Sequence, residues 1–139
     1  VAALAPYPFI VREQGSGTRN AMQQFFAEHH FEPQITMEMS SNETIKQAVM
    51  AGMGIAFLSL HTLGLELETG LLVRLDVEGT PVMRTWHVVH LQSKVLSPAA
   101  EALRYFVIEH GGRFLAAHDE TIKKTAPERP AKRTRGKAL

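Results

Sequence analysis

The stretch Phe9-Ile10-Val11-Arg12-Glu13-Gln14-Gly15-Ser16-Gly17-Thr18-Arg19 decides how the chain is read. Apolar residues with high strand propensity lead into charged ones, and a Gly-Ser-Gly-Thr sequence then makes a tight turn. Just downstream, Ala21, Met22, Phe25 and Phe26 recur at helical spacing and form one apolar face. A strand that passes through a Gly-rich turn straight into a helix opens a β-α-β unit. His29, His30 and Phe31 close the helix, and Pro33 prevents its continuation. Upstream, Pro6 and Pro8 bracket Tyr7 and precede the strand.

The pattern continues outward. Ile35, Met37 and Met39 alternate with Thr36 and Glu38, the period of a half-exposed strand. Ser40, Ser41 and Asn42 are helix-starting residues, and Ile45, Val49 and Met50 supply the next helix's apolar face. Gly52 suits a helix C-cap and Gly54 a turn, after which Ile55 to Leu58 form a continuous apolar run. Such a run, bounded by turns, reads as a buried parallel strand. The order β-α-β-α-β implies a parallel sheet with right-handed crossovers. His61 to Gly70 reads as a short helix or loop. Strands are expected over Leu71 to Val77, ending at Gly79-Thr80-Pro81, and over Trp86 to His90. Ser97-Pro98 opens a last helix with Leu103, Phe106, Val107 and His110 on its inner face. Gly111-Gly112 should stop it, with a further turn over Arg113 to His118.

At 139 residues, 45% of them apolar and 21% charged, the chain has the composition of one globular domain, or of a lobe plus a tail. It has no cysteine, which excludes disulfides and thiolate metal sites and fits a reducing cytoplasm. No apolar run can span a bilayer, so no membrane partner is expected. The opening VAALAPYPF lacks the charged and apolar regions of a signal peptide, and without an initiator Met it reads as part of a longer protein. The net charge of +1 hides an asymmetry. From Glu120 to Leu139 seven basic residues face two acidic ones, whereas the rest has eight against twelve. That rich, core-poor stretch is expected to be a disordered tail. The acidic remainder is a poor candidate for gripping DNA directly.

Two loops carry candidate chemistry. At Gly15, Ser16, Gly17, Thr18 and Arg19, a turn feeding a helix aims free backbone N–H groups at one point, where the helix dipole adds partial positive charge. Hydroxyls of Ser16 and Thr18 can donate hydrogen bonds, and Arg19 can pair with a carboxylate or phosphate. Equally, Ser16 or Thr18 could cap the helix, with Arg19 on a solvated face. Ser40, Ser41 and Asn42, followed by Glu43, form a second strand-to-helix junction open to the same two readings. Ser59 is a weaker candidate by the same geometry. Together the two loop tips should converge on one pocket for a negatively charged small molecule. A metal site is not expected: adjacent His29 and His30 diverge by about 100° on a helix, and His87 and His90 face opposite sides of a strand. No nucleophile elbow or ordered carboxylate pair suggests catalysis, so neither an enzyme nor a cofactor is expected. The methionines read as core filling.

The elements also occur in a familiar order. F-I-V-R-E-Q-G-S-G-T-R at Phe9 to Arg19 is followed by S-N-E-T-I-K-Q-A-V-M-A-G-M-G-I-A-F-L-S at Ser41 to Ser59. G-L-L-V-R-L-D-V-E-G at Gly70 to Gly79, the Trp86 strand, and S-P-A-A-E-A-L-R-Y-F at Ser97 to Phe106 complete the series. This order resembles the C-terminal part of LysR-type transcriptional regulators over Tyr7 to Gly112, with wording closest to the CbbR branch that controls carbon-fixation operons. The resemblance implies a type 2 periplasmic-binding-protein fold, a Rossmann-like α/β lobe with a mostly parallel sheet flanked by helices. It implies a C-terminal part of the effector-binding domain over residues 1–119. Within it a second lobe spans about 7–80, and a return crossover strand and helix span about 81–112, leaving 120–139 as the tail. Ser40 or Ser41 would then face an inter-lobe cleft. The implied effector is a small anionic metabolite: a phosphorylated sugar, phosphoenolpyruvate or an NADPH-like molecule. DNA would be bound only through an upstream helix-turn-helix, in a homodimer or tetramer. A lobe of a periplasmic oxyanion- or solute-binding protein is the alternative. An enzyme lobe resembling porphobilinogen deaminase or prephenate dehydratase is a third, for which the catalytic residues are missing.

Overall fold

A computed structural model describes residues 1–125, with side chains described through residue 116. Its centre is a three-stranded parallel sheet of β1 (Phe9–Arg12), β2 (Ile35–Met39) and β3 (Ile55–Ala56), in the order β2-β1-β3. Phe9 stands opposite both Ile35 and Ile55. Helix α1 (Gly17–Glu28) links β1 to β2, and α2 (Asn42–Met50) links β2 to β3.

The strand order explains where the core sits. The chain leaves β1 towards β2 and then crosses back over β1 to reach β3. Crossovers of one hand running in opposite directions put their helices on opposite faces of the sheet. Alternate residues of β1 therefore serve different helices. Phe9 and Val11 pack with Met22, Phe25 and Phe26 of α1, whereas Ile10 packs with Ile45 and Ala48 of α2. The first cluster is aromatic: Phe9 meets Phe26 edge-on at 5.4 Å between ring centres. Phe31 joins them because His30 takes a left-handed φ of 49°, which turns the chain back so that Phe31 N–H donates to Phe26 O at 2.9 Å. A residue of that conformation after a helix is the usual device for stopping it.

At the entry to β3 the backbone itself leaves no room for a side chain. Ile55 N–H donates to Pro8 O at 2.9 Å, and a methyl group on Gly54 would lie 2.4 Å from that same oxygen. Only glycine permits β3 to lie this close to the residue before β1.

Past β3, the chain forms a one-turn 3-10 segment (Leu60–Thr62), the short helix α3 (Gly64–Glu68), and then irregular backbone to the long helix α4 (Pro98–Thr125). Several expectations are corrected here. Neither Leu71 to Val77 nor Trp86 to His90 is a ladder-paired strand. Both keep strand-like composition, but a strand exists only against a partner's backbone, and among the described residues neither joins the three-stranded sheet. The ladder of β3 likewise covers only Ile55 and Ala56 of the expected four residues. Gly111-Gly112 does not end the last helix, which runs on to Thr125 and so includes the first residues of the expected tail. Two glycines cost a helix about 1 kcal/mol each relative to alanine, too little to stop one flanked by good helix formers. The face expected to be buried on α4 is open, Leu103 being 62% and Phe106 53% exposed. The remainder of the expected tail, 126–139, lies outside the described residues.

Replacing Gly54 with alanine should lower stability by about 1–3 kcal/mol or more, through forced separation of β3 from Pro8. In urea titrations the midpoint should fall with little change in slope. An unchanged midpoint would contradict the close approach described.

Candidate functional site

All three strands point their carboxyl ends to the same edge, so the loops after them gather there. In an open parallel sheet, the crevice that accepts ligands forms where neighbouring strands send their chains to opposite faces. Here that place is the carboxyl end of β1 beside β3. The loop after β1 opens with Glu13 and passes through Gly15 at φ 83°, a left-handed conformation glycine accepts freely, before α1 begins at Gly17.

A hollow of about 410 Å³ lies at this edge, lined by Arg12, Ser16, Gly17, Thr18, Arg84, Thr85 and Trp86. The last three come from far along the chain. Gly79 sits against Phe25 and His29 near the end of α1, and Arg84 Nη1 would lie 3.4 Å from a methyl group on Gly17 at its start. Residues 79–84 thus run back along α1 from its C-terminal to its N-terminal end. Val82 is held against the aromatic cluster on the way. This return path places a guanidinium above a helix N-terminus, where two positive potentials meet and an anion is favoured. Arg84 makes no ion pair among the described residues.

Arg12, the last residue of β1, points to the α2 side as Ile10 does. Its Nε and Nη2 donate to both carboxylate oxygens of Glu13 at 2.7 and 2.9 Å, and Nη1 donates to Asn42 Oδ1 at 2.7 Å. One guanidinium therefore ties the first loop to the second. Hydrogen bonding by Arg12 holds the Glu13 carboxyl below the usual carboxylate range.

The expected site residues divide accordingly. Gly15 shapes the first loop. Ser16 stands at the N-cap position of α1 but makes no capping bond with its side chain, so its hydroxyl is left to the hollow with Gly17 and Thr18. Arg19 goes elsewhere: it is 5% exposed, and Nη1 donates to Arg12 O at 3.2 Å. Its guanidinium braces the end of β1 instead of facing the hollow. Ser40, Ser41 and Asn42 are absent from the lining; Ser41 Oγ accepts from Thr44 N–H at 3.4 Å as a helix cap, and Asn42 reaches the first loop only through Arg12. Ser59 and Thr18 both border an adjoining apolar groove of about 640 Å³ between α1, β3 and the returning segment, which shares Thr18, Arg84 and Trp86 with the hollow. The two loops expected to converge are therefore joined by a strut, and the hollow's second wall is Arg84 to Trp86. Arg12 had a signal in the sequence, a lone cation closing a buried strand before a Gly-rich turn. Arg84 had none, because its place depends on the path of residues 79–84.

A second cationic anchor supports this edge. Lys46, on α2, is nearly buried; Nζ lies 2.6 Å from Glu43 and 2.7 Å from Glu66, and donates to Thr62 O at 3.2 Å. It thereby holds the turn after Ser59. The bonds to Glu43 and then Glu66 raise the Lys46 pKa above its ordinary value, and the bond from Lys46 lowers that of Glu66. Among the described residues no three His, Asp or Glu side chains gather as a metal site would require, and no helix is long and apolar enough to cross a membrane.

Comparison with known proteins shows the family and the fold. A family model described as the LysR substrate binding domain matches residues 1–112. The HTH-type transcriptional regulator CfxR of Cupriavidus necator is 58% identical over 107 residues, 77% of this chain and 34% of that protein. The RuBisCO operon transcriptional regulator of Allochromatium vinosum is 50% identical over 113 residues, 81% of this chain and 37% of its own length. The chain spans about a third of the length of these curated relatives. Among solved structures, the CcmR regulatory domain of Synechocystis PCC6803 in complex with 2-PG superposes with a TM-score of 0.59 at 31% identity, covering 92% of this chain and 55% of that one.

The Lys46 cluster has a measurable consequence. Glu66, with its lowered pKa, stabilises the fold fully above the unfolded carboxylate value of about 4.3 and loses that contribution as pH falls through the folded value. Lys46, with its raised pKa, contributes fully below about 10.4 and loses it as pH rises through the folded value. Lys46→Met should cost about 1–3 kcal/mol. The gap from the parent chain, followed by urea titration, should be constant between about pH 5 and 10 and narrow at both ends. A gap independent of pH at both extremes would mean that packing, not charge, holds the turn.

Proposed function

The chain belongs to the LysR substrate binding domain family, and from that premise we propose that it is the effector-sensing part of a CbbR-like regulator of carbon-fixation operons. A small anionic metabolite binds at the carboxyl edge of the sheet. The observation that carries this reading is the hollow in which Arg84 stands over the first turn of α1 beside Arg12, Ser16 and Thr18. Two guanidinium groups, two hydroxyls and the free N–H groups of a helix start suit a phosphate or carboxylate. The walls come from the first loop and from the returning segment, so an anion bridging them favours one arrangement of the two over others. A ligand shifts a conformational equilibrium only through such differential contact. In this reading residues 7–80 form one lobe, and the segment from 81 to 112 leads back to another.

The relatives' names support the biological role: both are named as transcriptional regulators, and that of Allochromatium vinosum is named for the RuBisCO operon. The 2-PG of the CcmR complex makes a phosphorylated or carboxylated metabolite the first candidate here; phosphorylated sugars, phosphoenolpyruvate and NADPH-like molecules share the needed charge. DNA contact would belong to a helix-turn-helix elsewhere in the complete regulator, working in a cytoplasmic homo-oligomer. A periplasmic binding-protein lobe is the less favoured reading, since relatives at 50–58% identity are named as regulators.

Titration calorimetry with 2-PG, phosphoenolpyruvate and NADPH should detect binding of at least one. Arg84→Met should weaken it by about tenfold or more, the loss of one charge-assisted pair. The complete regulator should then change its DNA footprint with the same ligand. Binding unaffected by Arg84→Met would remove the hollow from the site.

A further inference from the structure

The wall of the hollow already contains an anion. Arg12 lines it, yet two of its three guanidinium nitrogens are taken by the adjacent Glu13 and the third by Asn42. Glu13 holds Arg12 with both carboxylate oxygens, the two-point geometry that an incoming carboxylate or phosphate would use. It is not locked in place: its side chain is 37% exposed, and among the described residues Arg12 is the one side chain with which it is paired. Arg84, across the hollow, is spared any such partner among the described residues.

We propose that Glu13 is a built-in competitor for the ligand, occupying Arg12 until a more highly charged anion displaces it. This rests on the reading of the hollow as the effector site and adds to it a rule of selection. A monoanion arriving at Arg12 merely exchanges one carboxylate for another, and it can satisfy Arg84 without disturbing Glu13. A dianion bridging Arg12 and Arg84 meets both guanidinium groups and repays the displacement. Glu13 thus sets a threshold that favours doubly charged ligands. Because Arg12 also holds Asn42, release of Glu13 frees the β1–α1 loop while the bond to the start of α2 persists.

The test uses two anions of similar shape and different charge, sulfate and methanesulfonate, titrated against the whole chain, with 15N NMR of the Arg12 Nε and the Ser16–Thr18 amides as readout. Removing the competing charge in Glu13→Gln should tighten sulfate on the order of tenfold and methanesulfonate distinctly less, since the relieved repulsion scales with ligand charge. Glu13→Asp, which keeps the charge, should stay near the parent affinity, separating charge from loop damage. In the parent chain saturating sulfate should shift the Arg12 Nε resonance. Should sulfate bind and be weakened by Arg84→Met, yet Glu13→Gln bind no tighter or tighten both anions equally, the competitor role is wrong and the hollow stands. If neither the parent nor Glu13→Gln binds sulfate, both readings fall.

Discussion

Strand β1 hydrogen-bonds along both edges and is buried on both faces, and its four residues constrain nearly everything else. Phe9 and Val11 must satisfy α1, and Ile10 must satisfy α2, so no residue of the strand's first three can turn polar without opening a core. At the fourth position the constraint changes. The sheet ends there, and a charged side chain can leave the core while its backbone remains in the ladder. Arg12 occupies that position. Its carbonyl is braced by Arg19, and its guanidinium is held by Glu13 and Asn42. The packing of β1 therefore carries straight through to the geometry of the edge where ligands meet parallel sheets.

That edge is assembled from segments distant in sequence. The first loop is local, made by the turn between β1 and α1. The opposite wall depends on residues 79–84 retracing α1, which in turn depends on Val77 and Val82 adhering to the aromatic cluster. Lys46 performs a similar service for the turn after β3, linking α2 to Thr62 and Glu66. In each case a residue on or against a rigid element positions a loop, which is how a flexible connection acquires a defined binding surface.

Beyond the sheet the chain exposes much apolar surface. Leu71 and Val73, then Trp86, Val89 and Leu91, then Leu103, Ile108 and Phe114 on α4 stand in solvent, Val89 at 84% exposure. Large apolar side chains exposed in such number are the kind that a further surface covers. The chain matches only 55% of the CcmR regulatory domain and about a third of its curated relatives. In the two-lobe reading these are the faces that meet the other lobe, and the unpaired strand-like segments are those that would join its sheet.

The periodicities of residues 9–58 determined the fold by themselves. Alternation at Ile35 to Met39, helical spacing at Met22 to Phe26, and glycines where turns need them are local signals, and the β-α-β-α-β order they spell is the order observed. The first loop was legible for the same reason, since Gly15 to Thr18 carry their geometry in their own residue types. Arg19 and Ser41 were equally visible as polar residues near a helix start, but whether such a side chain caps, braces or binds depends on which neighbour it finds. Strands at 71–77 and 86–90 failed to form because pairing is a property of two segments, and composition describes only one. Arg84 reached the hollow through a contact that exists only once the chain has folded back along α1, whereas the pair of Arg12 with Glu13 is between neighbours in sequence. Local conformational preference is written residue by residue; long-range proximity is decided by the packing of the core that brings distant residues together.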